Sequence, residues 1–152
     1  MQLLYSIASP ARPFIRHVFQ CLAACICFSQ SAFAYTLTCD VQGSFPEMDK
    51  ITVEPAQVKV DITSIGDHLY IRVDGPKLYN FFVNTLRTPE FEGTDLTSKT
   101  SMWVKRKNLQ TMEESEIKIN REPVNIKAIK DVQRYGKKLK FFVTGPCQLP
   151  PG

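Results

Sequence analysis

Five cysteines occur in this 152-residue chain, but only Cys39 and Cys147 lie beyond residue 34, and they stand close to the two extremities of that stretch. No other feature constrains the fold as much. A bond between them would tie the first segment to the last and exclude architectures that keep their ends apart. The bond is expected because the N-terminus has the parts of an export signal in order. Arg12 and Arg16 supply positive charge, VFQCLAACICF (Val18 to Phe28) a short apolar core, and SAFA small residues before a cut after Ala34. Cys21, Cys25 and Cys27 would leave with that segment, and two thiols in an oxidising compartment pair. Buried free thiols or a metal site are the alternatives. A metal site lacks ligands, since His68 is the sole histidine beyond residue 34. In the chain-entropy picture, closing a loop this long stabilises by up to about 4–5 kcal/mol.

The apolar core of the leader is about half of the roughly 20 residues a spanning helix requires, so the chain is not expected to be transmembrane. Leu22 to Cys25 (LAAC) also fits a lipid-attachment pattern, with Cys25 as anchor, although Ile26-Cys27-Phe28 continues the apolar run past it. The expectation is therefore a signal peptide at 1–34 and a single β domain at 35–152, periplasmic or secreted. A lipoprotein anchored at Cys25 is the alternative.

Beyond residue 34 the dominant period is two, as in half-buried strands. Tyr35, Leu37, Cys39 and Val41 alternate with Thr36, Thr38, Asp40 and Gln42. Val58, Val60 and Ile62, then Leu69, Ile71 and Val73, flank TSIGD and read as a hairpin. Further strands are expected at Met102–Val104, Ile117–Ile119, Val124–Ile129 and Leu139–Val143, with Tyr135-Gly136 in the turn before the last. KLYNFFVNTLRTP, covering residues 77–88, fits either a strand or a helix with Leu78, Phe82 and Leu86 on one face, and its aromatic and β-branched content favours the strand. With no βαβ alternation, the expected class is all-β: an antiparallel barrel or strongly curved sheet of six to eight strands, closed by one terminal disulfide.

Charge is uneven along the chain. Residues 35–98 hold five basic and ten acidic side chains, net −5, and residues 99–152 hold twelve and five, net +7. Pairing between neighbouring strands of the two halves is one reading. The other takes Lys105-Arg106-Lys107 with Lys137, Lys138 and Lys140 as a patch facing an acidic protein or envelope component. Nucleic acid is a poor partner for an exported chain.

Catalytic constellations are absent from the sequence. His68 sits in a turn entering a strand, Glu113, Glu114 and Glu116 crowd a polar connection, and neither phosphate-cradling glycines nor a metal motif occurs. No enzymatic activity, cofactor or metal is expected. Surface chemistry remains. Phe81-Phe82 and Phe141-Phe142 put one ring on each side of a strand, which makes Phe82 and Phe142 candidate contacts together with Trp103, Lys105, Arg106 and Lys107.

Ile119-Asn120-Arg121 followed by a last strand with Gly145 and Cys147 resembles a group of small uncharacterised exported bacterial proteins, which implies no activity. Trp103-Val104-Lys105 is similar to the Trp-x-Lys segment of the periplasmic lysozyme inhibitors, small disulfide-closed β-barrels, although Arg106 stands where that family has glycine. The expected role is a non-catalytic binding protein for a protein, envelope component or small apolar ligand. Inhibition of a cell-wall hydrolase and lipocalin-like carriage are the alternatives.

Overall fold

The structure, a computed structural model, describes residues 33–49 and 51–150. The expected leader lies outside these residues apart from Phe33 and Ala34, which open the first strand. Nine strands follow: β1 (Phe33–Phe45), β2 (Ile51–Ile65), β3 (His68–Asp74), β4 (Phe81–Asn84), β5 (Phe91–Asp95), β6 (Ser101–Asn108), β7 (Glu114–Arg121), β8 (Val124–Arg134) and β9 (Lys137–Gln148). They form one sheet in the order β4-β3-β2-β1-β9-β8-β7-β6-β5, with every ladder antiparallel.

The two-residue period explains which side faces in. Leu37, Cys39, Val41 and Phe45 on β1, Val58, Val60 and Ile62 on β2, and Leu69, Ile71 and Val73 on β3 are all buried. Val104, Ile117, Ile119, Ile126, Ala128, Leu139, Phe141 and Val143 complete the interior from the other side. Each large aliphatic or aromatic side chain sequestered in this way contributes on the order of 1.5–3 kcal/mol. Tyr135 and Gly136, at φ 51° and 72°, make the tight turn between β8 and β9, a left-handed pair whose twist suits the strands it joins.

β1 and β9 lie side by side, and Cys39 faces Cys147 across their ladder. The two sulfurs are bonded, over a sequence separation of 108 residues. The nearby Gly145 has no room for a side chain: a Cβ there would strike the Asp40 carbonyl and the Val41 Cα. A glycine two residues before the cysteine is what lets β9 approach β1 closely enough for the bond.

The remaining joint is between β4 and β5, the sheet's two edges. Alternating direction across nine strands leaves these two pointing the same way. Same-direction neighbours need a long crossover to form a ladder, and only residues 85–90 separate them. The seam is therefore closed by other means. Arg87, just past β4, makes one isolated bridge with Glu92 of β5, and Gly93 lies directly on the backbone of Asn84–Leu86.

Two expectations need revision. The strand count is nine rather than six to eight, because β5 is a strand whose FEGTD sequence (Phe91–Asp95) has a central glycine and two acids, residues depleted in strands. Residues 77–88 are of mixed form: a 3₁₀ turn at Lys77–Tyr79, then β4. The turn folds Tyr79 into the barrel, where its hydroxyl donates to Glu54 O (2.6 Å) and accepts from the Gly43 amide (3.0 Å).

Candidate functional site

The residues expected to make contacts are dispersed by strand alternation. On β6, Met102 and Val104 face in, so Trp103, Lys105 and Lys107 face out and Arg106 turns to the inner side. The basic triplet is thus not one patch, which corrects the grouping expected from sequence. Lys105 pairs with Glu116 (3.0 Å), Lys107 with Glu114 (3.7 Å) and Lys140 with Asp131 (3.5 Å). Lys138 donates to Thr111 O at 3.0 Å. Trp103 is half-buried on the outer face. Its indole N–H donates to Glu116 Oε1 (2.9 Å), and the ammoniums of Lys105 and Lys118 lie 5.0 and 4.7 Å from its ring centre.

Arg106 stacks its guanidinium 3.9 Å from the Phe91 ring centre and 5.6 Å from that of Phe82. It therefore clasps the two edges of the seam. Its Nε is buried without a hydrogen-bond partner, and burial lowers its pKa. Phe82 is 47 % exposed beside it. Phe142 is half-buried on the outer face, far along the sheet from Phe82, and pairs across strands with Ser44 and Ile129.

Ion pairing follows the topology. Every salt bridge among the described residues joins partners within the same half of the chain. A meander keeps each half on its own side of the barrel, so the net −5 and net +7 halves become an acidic flank, β1 to β5, and a basic flank, β6 to β9.

The barrel's two ends differ. At one end the interior is filled by aromatic side chains: Phe141 lies 4.9 Å from Phe45, 5.5 Å from Tyr79 and 6.4 Å from Phe81, centre to centre. The Lys130 ammonium sits 4.5 Å over Phe81 and donates to Asn80 O at 2.7 Å, and the Arg134 guanidinium lies 5.1 Å over Phe45. Burial lowers the Lys130 pKa.

At the other end the same inward alternation runs on past the core and leaves an open cup of about 480 Å³. Tyr35 from β1 and Val124 from β8 form its walls, Leu37 from β1, Met102 from β6 and Ile119 from β7 its bottom, and Phe33, Asn120, Arg121 and Leu149 its rim. Leu37, Met102 and Ile119 are buried and seal the floor. The Tyr35 hydroxyl donates to Met102 Sδ at 3.2 Å. Burial raises the pKa of that phenol, and the Arg121 charge opposes the rise.

No family model matches the sequence, and no curated protein matches it either. The chemistry of the cup and flanks therefore carries the functional reading. Among the described residues no group of three or more His, Cys, Asp or Glu side chains is placed to hold a metal ion, and no helix is long and apolar enough to cross a membrane. His68 is exposed where the Gly66-Asp67 turn enters β3.

None of the contact residues expected from sequence lines the cup. Its residues were legible only as inward members of their strands. That β1, β6 and β8 begin at the same rim where β7 ends depends on strand stagger, which periodicity does not encode.

Proposed function

We propose that this chain is an exported, non-catalytic binding protein of the bacterial envelope, and that its working site is the cup. A recess of this size falls within the 300–1,000 Å³ range of small-ligand sites, with apolar walls and a few polar groups at the edge. The observation that carries the reading is the asymmetry of the barrel: one end is filled with rings, and the other leaves apolar side chains facing an open recess. A sealed floor means that a ligand enters only from the mouth. This differs from a calyx running through the lumen, so the lipocalin-like alternative narrows to a shallow, end-on carrier.

The basic flank favours a second contact. Lys118, Lys127 and Lys137 have no salt-bridge partner among the described residues, and the flank as a whole keeps its positive excess. An acidic protein or envelope surface is its complement. Inhibition of a cell-wall hydrolase would use this flank, with Trp103 on its β6 edge.

Titration of the exported protein with the neutral apolar dye Nile red tests the cup. The dye is expected to bind with fluorescence enhancement, and Val124→Lys, at the half-buried edge of the wall, to weaken it at least tenfold with the far-ultraviolet spectrum unchanged. Absence of binding, or binding indifferent to Val124→Lys, would reject the cup as the working site.

A further inference from the structure

The inward row of β7 is Ile117, Ile119, Arg121. Its first two members are buried aliphatics, and its third carries a full positive charge to the lip of the cup. Arg121 is the one ionisable cation among the residues lining the recess. It makes no salt bridge among the described residues. Its backbone amide is held by Thr100 O at 2.9 Å, which fixes its place at the rim independently of its side chain.

The other polar groups at the lip are already engaged. The Asn120 side chain donates to Asn125 Oδ1 at 2.8 Å, and the Tyr35 hydroxyl donates to Met102. The rim thus presents a free guanidinium above an apolar recess whose floor is sealed. Guanidinium groups pair with planar oxyanions through two parallel hydrogen bonds, and they do so best beside apolar surface where water is thinned.

From this juxtaposition we infer that the cup selects anionic amphiphiles, with the hydrocarbon end against Tyr35, Leu37, Met102, Ile119 and Val124 and a carboxylate on Arg121. The inference rests on the cup being the working site, as proposed above. The acidic flank does not compete for the head group, because Arg121 ends β7, on the basic side. Removal of the leader after Ala34 would act in the same direction: it takes the Phe33 ring from the rim and leaves the Tyr35 α-ammonium as a second cation there.

The test is calorimetric titration of the exported protein, and of Arg121→Gln and Arg121→Lys, with decanoate, decanol and decyltrimethylammonium at neutral pH. Decanoate is expected to bind at least tenfold more tightly than decanol, and the ammonium amphiphile more weakly than either. Arg121→Gln should erase the preference for decanoate, bringing its affinity down to that of decanol, and Arg121→Lys, which keeps the charge but not the two-bond fork, should retain only part of it. Arg121 is exposed, so these variants should fold as the parent does. Equal affinity for decanoate and decanol, or a preference that survives Arg121→Gln, overturns the anion selectivity and leaves the cup standing. Failure of all three probes to bind overturns the cup itself.

Discussion

Lys130 sits on the inner side of β8, its ammonium held over Phe81 without a carboxylate partner, and the cost of that placement is visible in how it should titrate. Burial lowers its pKa below the ordinary 10.5, so between the two values the unfolded chain binds more protons than the folded one, and stability rises with pH across that window. The parent is therefore expected to gain stability relative to Lys130→Met as pH increases from neutral toward 10.5. Urea unfolding of both proteins over that range checks it; a constant or shrinking advantage would show that the ammonium is not desolvated. Single residues were legible where alternation alone decided them, as for Phe141 inside and Phe142 outside. Arg106 was misread because side chains adjacent in sequence on a strand are on opposite faces in space, so a run of three cations is not a patch. Gly145 is required where it stands because the Asp40 backbone lies where a Cβ would be.

Among the elements, β5 is the least typical strand and the one on which closure depends. Glu92, Gly93 and Asp95 give it little intrinsic preference for an extended form, and it passed unseen in the sequence for that reason. Its glycine is required by contact: Gly93 rests on the Asn84–Leu86 backbone. Gly93→Val should cost roughly 1–3 kcal/mol through overpacking, and amide exchange should quicken across β4 and β5 while β1 and β9 stay protected. Uniform quickening would mean that the seam is not a separate unit. Segment 77–88 was ambiguous in sequence because it contains both forms: the 3₁₀ turn that inserts Tyr79 and the strand that follows it.

For the molecule as a whole, the Cys39–Cys147 bond joins neighbouring strands β1 and β9, and the sequence pointed to it because no other cysteine lies beyond residue 34. Replacing both cysteines by alanine should cost about 3–5 kcal/mol, read as a lowered denaturation midpoint, and should leave the cup's affinity for ligand unchanged once the protein is folded. A loss below about 1 kcal/mol would show that the two ladders of β1 hold the ends without it. A barrel-like sheet was legible because a terminal bond sets the first and last strands side by side, whereas two-residue periodicity alone fits a curved open sheet equally. The cup was not, since it arises from how far each strand slides past the next. Counting parity adds a final consequence. A cylinder of alternating staves closes without a flaw only if their number is even; with nine, one like-directed joint is unavoidable, and the order of the staves fixes it between β4 and β5. Here it falls on the flank away from the sulfur rivet, so the cylinder is clamped on one side and able to gape on the other.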